Sequence, residues 1–163
     1  MEKIKRSELP QMRMTLLQAK DVKSTTMGML VLNNLEIVNK HYNAMQDEIV
    51  QGTNEIQDRH KHLAEKIAVF NKALQANMTA MINPQTGQFT NEPLFRSNVE
   101  EIVKNHPECE PFYVEQKTFL EKYYESEVEI DLKFIKADDL PDNLSANDII
   151  ALSAFITDGE LVT

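Results

Sequence analysis

A long stripe of apolar positions is the strongest pattern in the sequence. Between residues 31 and 81, apolar side chains recur at steps that alternate between four and three residues, and the positions between them are largely polar. A mean spacing of 3.5 residues keeps one seam of a helix facing a partner, which is typical of a coiled coil. The pattern therefore predicts a helical seam, to which we assign Val31, Leu35, Val38, Tyr42, Met45, Ile49, Ile56, Leu63, Ile67, Phe70 and Leu74.

Two structures satisfy this stripe, and the sequence leaves both open. An unbroken helix over residues 31–81 would be ~75 Å long at 1.5 Å per residue and would project as a stalk. Alternatively, the helix ends at residues 51–54 and the chain folds back as an antiparallel hairpin. Gly52 supports the hairpin, because glycine costs about 1 kcal/mol relative to alanine inside a helix. We favour the hairpin, in which Thr53 or Asn54 caps a second helix.

Both ends of the chain predict short strands. Residues 127–134 alternate between polar and apolar side chains, which indicates a half-buried strand with Val128, Ile130, Leu132 and Phe134 facing inward. Such a strand needs a partner for its backbone groups. Residues 3–5 are the candidate within the chain, since their lysines would face the glutamates of the second strand. If that pairing fails, the strand edge is open to another subunit.

Local signals define the remaining elements. Ser7 is a predicted N-cap for a first helix that has Pro10 in its first turn. Residues 83–87, Asn-Pro-Gln-Thr-Gly, predict a turn that ends the long helical region. Short helices are expected over residues 97–104 and 114–124. Ser145, with an acid three residues later, predicts the start of a last helix over residues 146–155.

Together these elements predict a mainly α fold. We expect a long helical hairpin or coiled-coil segment with a small α+β knob made by the N-terminal strand, one C-terminal strand and a short terminal helix. The length of 163 residues favours a single domain. Within it we assign residues 25–82 to the long helical region, residues 1–24 with 95–156 to the α+β portion, and residues 157–163 to a flexible tail.

Charge is unevenly distributed along a chain whose net charge is -9. Residues 1–24 are basic on balance, whereas residues 105–163 are strongly acidic. An acidic half of this kind repels phosphate backbones, so we expect no nucleic-acid partner. The acidic residues are interpreted either as a solvated surface or as a contact face for a basic partner. The predicted contact face consists of Glu127, Glu129 and Asp131.

Candidate chemistry is sparse. His60 and His62 are two residues apart and therefore point to different faces of a helix, while Asp58 and His62 offer only two of the three or four ligands that zinc needs. Cys109 lies between two carboxylates, which raise the pKa of its thiol rather than activate it. We therefore expect no enzyme activity, no metal and no cofactor.

The sequence also gives an expectation about the location of the protein. No apolar run approaches the length of a membrane span, and the first residues lack the apolar stretch of a signal peptide. The sequence thus predicts no membrane association and no secretion by a signal peptide. The lone Cys109 is compatible with a reducing compartment.

The two ends of the chain resemble a known family. Residues 3–9, Lys-Ile-Lys-Arg-Ser-Glu-Leu, precede a helix; residues 126–140 contain a Val-Glu-Ile-Asp strand, and residues 144–148 follow as Leu-Ser-Ala-Asn-Asp. These segments resemble a family of small phage and prophage proteins of unknown function. The resemblance is architectural in the central region, where this chain has a longer helix. It implies a phage origin and a role in virion structure or assembly, and it carries no catalytic residues.

Two functional hypotheses follow. The first is a phage-encoded, non-enzymatic structural or assembly protein that acts through helix packing and oligomerisation, located in the cytoplasm of a bacterial host or in the phage particle. Its partners would be further copies of itself or other phage proteins. The alternative is a small acidic binding module that captures and modulates a host or phage protein.

Overall fold

The computed structural model describes residues 1–157. It is 73% helical and has small strand pairs at the ends of the chain, which confirms the predicted mainly α fold with a small α+β knob. The chain divides into two compact units. The first unit contains residues 1–49 and the described part of residues 122–163, and the second contains residues 50–121. That the two units behave as a single domain stays a prediction.

Helices account for most of the chain. The six α-helices of residues 1–157 are α1 (Leu9–Gln18), α2 (Thr25–Arg59), α3 (Ala64–Met81), α4 (Glu92–Asn105), α5 (Glu110–Glu125) and α6 (Ala146–Ala151). The four described strands are β1 (Glu2–Lys5), β2 (Glu127–Ile130), β3 (Ile135–Lys136) and β4 (Ile156–Thr157). Short 3-10 turns cover Arg6–Glu8, Lys61–Leu63, Pro107–Cys109, Ala137–Asp139 and Ser153–Phe155.

The two predicted strands pair with each other in the first unit. β1 and β2 are antiparallel, with Lys3 opposite Glu129 and Lys5 opposite Glu127. The prediction that lysines of one strand face glutamates of the other is therefore confirmed. β2 ends at Ile130 rather than at residue 134, and its ladder with β1 ends at the pair of Glu2 and Ile130.

Burial continues to alternate beyond the end of β2. Ile130 and Leu132 are buried, and Val128 and Phe134 are half-buried, so the predicted inward face is confirmed. The chain then enters β3, which pairs in parallel with β4. Thr157 was assigned to the tail, but it belongs to β4. Residues 158–163, the rest of the predicted tail, lie outside the described residues.

The predicted cap at Ser7 is wrong. Ser7 lies within the turn Arg6–Glu8, and α1 begins two residues later, at Leu9, with Pro10 in its first turn. The backbone N–H of Lys5 donates to the Glu8 carboxylate over 3.2 Å, so an acidic side chain closes this turn. The cap at Ser145 is confirmed, since its hydroxyl accepts from the backbone N–H of Asp148 over 3.1 Å. The last helix is shorter than expected and continues as the turn Ser153–Phe155.

The long helix does not break where the hairpin hypothesis placed the break. α2 runs through Gly52 and ends at Arg59, and α3 starts at Ala64 after the turn Lys61–Leu63. Both alternatives are therefore wrong: the helix is neither continuous over residues 31–81 nor interrupted at residues 51–54. Gly52 does not end the helix, although glycine is unfavourable inside one. The ring of Phe119 occupies the space that a Cβ atom would fill at this position, so the absence of a side chain allows this packing.

The connection after α3 follows its sequence signals. The Asn83 side chain accepts hydrogen bonds from the backbone N–H groups of Gln85 and Thr86, and Gly87 has a φ of 68°. Asn91 then caps α4 by accepting from the N–H of Leu94 over 3.0 Å. α4 and α5 each begin four or five residues before the predicted helices, because the caps at Asn91 and the turn at Pro107–Cys109 precede the periodic apolar residues.

Each unit has its own hydrophobic core. The first core is formed by buried residues of α1, α2, β2 and the C-terminal segment, among them Leu9, Leu16, Met27, Val31, Val38, Met45, Ile130, Leu152 and Phe155. The second core is smaller and consists of Ile56, Ile67, Phe70, Cys109 and Phe112. Burial of these apolar side chains is the main favourable contribution to folding in each unit.

Candidate functional site

The predicted seam lies inside the two cores. In the first unit Val31, Val38 and Met45 are buried, and Leu35, Tyr42 and Ile49 pack against them. In the second unit the seam continues as buried Ile56, Ile67 and Phe70, with Leu63 and Leu74 partly buried beside them. These side chains contact other parts of the same chain. The seam residues therefore contribute to the two cores of the chain.

The predicted acidic contact face is balanced by nearby lysines. Glu127 and Glu129 are exposed on β2, but they lie opposite Lys5 and Lys3 of β1. Asp131 accepts a hydrogen bond from Lys133 Nζ at 2.7 Å, and this bond lowers the pKa of the Asp131 carboxyl. Lysines of the same chain therefore lie beside all three acids, and the Asp131 carboxylate is ion-paired with one of them.

A polar network holds the start of the chain against the first unit. The Arg6 guanidinium donates to Ser126 Oγ and to the Glu127 carbonyl, at 2.7 and 3.0 Å, and lies over the ring of Tyr123. The Tyr123 hydroxyl donates to Glu48 over 2.5 Å. Burial and this acidic partner raise the pKa of Tyr123 to about 12. These groups fix the β1–β2 pair in place and serve the fold.

His60 marks the break between α2 and α3. Its Nε2 lies 2.7 Å from one carboxylate oxygen of Glu115, while Arg59 donates to the other oxygen. The hydrogen bond from His60, and then that from Arg59, lowers the pKa of the Glu115 carboxyl. The imidazole also makes an edge contact with the ring of Phe112. Glu115 of α5 thereby holds the end of α2.

A histidine held by a carboxylate has the arrangement of a general base, so its surroundings decide what it can do. A cavity of ≈ 440 Å³ lies beside His60, and its lining includes Asp58, Lys61 and Asn71. None of the described residues that line this cavity carries a hydroxyl or a thiol that His60 could activate. His60 thus joins the end of α2 to α5 through its hydrogen bond with Glu115.

The other candidates for chemistry are the thiol of Cys109 and a metal site. Cys109 is buried in the second core, and burial, followed by the charge of Glu108, raises the pKa of its thiol. The predicted direction is confirmed, but the main cause is burial and not the two flanking carboxylates. Among residues 1–157, no group of three or more His, Cys, Asp or Glu side chains is placed to hold a metal ion. No helix in the described part of the chain is both long and apolar enough to cross a membrane.

The surface feature that the sequence did not reveal is a groove in the second unit. It has a volume of ≈ 610 Å³ and lies between α3, α4 and α5. Its apolar lining consists of Leu74, Met78, Phe95, Val99 and Tyr113, and its charged lining of Arg96, Glu100, Lys117 and Glu121. We call this feature the α4 groove. An apolar floor with charged edges is typical of a surface that binds a protein segment.

α4 is the least covered wall of this groove. None of its 14 residues, all of them described, is fully buried. Its apolar side chains Phe95, Val99, Ile102 and Val103 are only half-buried against α3 and the second core. The sequence did not reveal the α4 groove because the helix predicted from it begins at residue 97. Only the longer helix brings Glu92 and Arg96 into line with the residues that follow.

Comparisons with known proteins add no assignment. No protein-family model, no curated protein and no solved structure matches this chain.

Proposed function

We propose that this chain is a phage-encoded, non-enzymatic structural or assembly protein that acts through helix packing and self-association. The observation that supports the proposal is the half-covered state of α4. An amphipathic helix gains its stability mainly by burying its apolar face. α4 buries this face only in part, and an apolar groove with charged edges runs beside it. A further protein surface would complete the burial.

The proposal differs from the sequence-based hypothesis in where association occurs. The seam residues contribute to the two cores, so we propose that association occurs at the α4 groove of the second unit instead. The side chains that could carry chemistry are engaged in structural pairs, such as His60 with Glu115 and Lys66 with Glu108. This arrangement favours a role in assembly over catalysis.

The phage origin rests on the resemblance at the two ends of the chain. Residues 3–9 and 126–140, which carry it, form the β1–β2 pair and the start of α1, and residues 144–148 form the capped start of α6. All three segments belong to the first unit. We accordingly propose that the first unit provides the family-like framework and that the second unit provides the association surface.

The alternative, an acidic module that captures a basic partner, has weaker support. Its proposed contact residues Glu127, Glu129 and Asp131 have lysines of the same chain beside them. A basic partner would have to compete with Lys133 for the Asp131 carboxylate, and it would approach Glu127 and Glu129 where Lys5 and Lys3 lie opposite them. The local charge therefore gives a basic partner little additional electrostatic attraction.

Solution mass measured as a function of concentration tests the proposed function. Light scattering on the full chain should give a defined multiple of 18.7 kDa, the mass of one chain. A mass that stays at one chain up to the highest soluble concentration would overturn self-association. Small-angle X-ray scattering on the same samples separates a defined oligomer from unspecific aggregation.

A further inference from the structure

A row of alternating charges lies along one side of α4. Glu92, Arg96, Glu100 and Lys104 follow one another at intervals of four residues, and all four side chains are exposed. Residues four apart lie on neighbouring turns of a helix, so the row forms a continuous ridge. Val99 and Val103 are adjacent to this ridge, and Arg96, Val99 and Glu100 line the α4 groove.

The order of charges in this ridge is self-complementary. Read in one direction it is negative, positive, negative, positive, and an antiparallel copy presents the opposite charge at every position. If two α4 helices lie antiparallel with their centres at residue 98, Glu92 faces Lys104 of the second copy and Arg96 faces Glu100 of the second copy. Each pair occurs twice, because a two-fold interface uses the same residues on both sides.

The fold leaves this ridge free for such a contact. Asn98, at the centre of the helix, points away from the ridge, since its side chain donates to Asn77 of α3 over 2.9 Å. Arg96 is paired with Glu92 of the same helix at 2.6 Å, but the Arg96 side chain remains 73% exposed. The apolar neighbours Phe95 and Val99 are half-buried and would be covered by the same contact.

We propose that the α4 groove is the interface between two copies of this chain, in which the α4 ridges pack antiparallel about a two-fold axis near residue 98. This inference rests on the proposed function and names its partner. The complementary charges fix the register, and the half-buried apolar residues of α4 supply the area that is removed from water. A second copy carries the complementary order of charges by symmetry, whereas a protein of unrelated sequence is not expected to carry it.

Charge reversal on the full chain tests this interface. Arg96→Glu places two pairs of like charges across the two-fold axis, so the dissociation constant of the dimer should rise about tenfold or more. The double variant R96E/E100R restores opposite charges at both pairs, and its dissociation constant should return to within about threefold of the wild-type value. Sedimentation equilibrium measures all three proteins.

The control separates the interface from helix stability. Lys72→Glu reverses one exposed charge on α3, in the same unit, and should leave the dissociation constant unchanged. Within a single α4 helix, the double variant adds like charges at residues 92 and 96 and at residues 100 and 104. If the ridge served only the helix itself, the double variant would therefore be at least as impaired as R96E. Thermal unfolding followed by circular dichroism reports that effect separately.

The possible outcomes distinguish the two proposals. Weaker association in R96E and its recovery in the double variant support the α4 interface. An oligomer whose dissociation constant is unaffected by R96E overturns the α4 interface and leaves the proposed function standing. A wild-type chain that is monomeric at every concentration overturns both.

Discussion

Asn34 is a polar residue in the middle of an apolar core. It is fully buried on α2, where its amide nitrogen donates to the Lys133 carbonyl over 2.8 Å and its oxygen accepts from the Lys133 N–H over 2.7 Å. The side chain thus pairs with the backbone of Lys133 as a neighbouring strand would, at the point where β1 has run out of residues. This contact joins positions 99 residues apart, so no local pattern in the sequence predicts it.

Replacing Asn34 should therefore lower the free energy of unfolding. Asn34→Ala leaves the N–H and the carbonyl of Lys133 without their partner in a partly buried position, and the free energy of unfolding should fall by about 1–3 kcal/mol. The matched control is Asn33→Ala, since Asn33 is exposed on the same helix and should cost no more than about 0.5 kcal/mol. Urea denaturation measures both. Similar losses in the two variants would contradict this role for Asn34.

Glu115 provides a pH-dependent contribution at the helix break. Its folded-state pKa lies below the ordinary value of 4.5, chiefly because of the hydrogen bond from His60 and then that from Arg59. A lowered pKa contributes stability that is fully present above pH 4.5 and is lost as the pH falls through the folded-state value. Glu115→Gln should therefore lower the free energy of unfolding at neutral pH, and the difference from wild type should shrink below pH 4.5.

Chemical denaturation at a series of pH values checks this expectation. Glu101→Gln serves as the control, because Glu101 is an exposed glutamate on α4 of the same unit. The control should show no comparable change in the difference from wild type between neutral and acidic pH. A difference for E115Q that stays constant across the whole range would show that the carboxylate charge of Glu115 is not what stabilises the helix end.

At the scale of elements, short-range patterns are good predictors and distant contacts are not. The alternation at residues 127–134 and the lysines at residues 3–5 suffice to predict the β1–β2 pair, since they specify both the inward face and the facing charges. The Ser145 cap and the turn at residues 83–87 are local in the same sense. The end of α2 is different, because it depends on Glu115, a residue 55 positions away from His60.

Gly52 shows how a helix-weakening residue is retained for packing. A Cβ atom at this position would lie 2.2 Å from Cζ of Phe119, so the ring rests directly on the backbone of α2. At Gly28, on the same helix, a Cβ atom would meet only the Val22 carbonyl oxygen at 4.0 Å, apart from the adjacent backbone of the helix, and this is an ordinary van der Waals contact. The two glycines therefore have opposite consequences when a methyl group is added, although the sequence alone makes them look alike.

Paired alanine substitutions test this difference. Gly52→Ala should lower the free energy of unfolding by about 1–3 kcal/mol, because the methyl group forces Phe119 out of its position. Gly28→Ala should raise it by as much as about 1 kcal/mol, since only the helix propensity changes. Thermal or chemical unfolding of the two variants under identical conditions decides. A gain for both would show that Phe119 does not pack against Gly52.

For the molecule as a whole, the apolar stripe predicted burial correctly but could not reveal what covers it. The same 3.5-residue spacing serves a coiled-coil partner or a neighbouring element of the same chain. Here α1, β2 and the C-terminal segment cover the first part of the stripe, and α5 with the Pro107–Cys109 turn contributes to the cover of the second. Elements far apart in the sequence provide that cover. Their docking has no periodic signature, so the stripe alone predicts only a seam, of a hairpin or of an oligomer.

A core residue and an interface residue differ in how the loss of stability caused by a substitution depends on protein concentration. We apply this test to Phe70. Phe70 is fully buried in the second core, so Phe70→Ala should lower the free energy of unfolding by about 3–5 kcal/mol. Val69→Ala, one residue earlier and 61% exposed in the wild-type chain, should change it by no more than about 0.5 kcal/mol. Association through α4 stabilises wild type and variants alike by mass action, so it cancels in the comparison.

The loss caused by Phe70→Ala should therefore be the same over a ~100-fold range of protein concentration, because both partners of each lost contact belong to one chain. Chemical denaturation at both ends of that range provides the measurement. A loss that grows with concentration would mean that Phe70 stabilises the association of chains, and the seam would then have to be placed between subunits after all. A constant loss, together with a concentration-dependent effect of Arg96→Glu, would separate the core that holds the chain together from the surface on which copies meet.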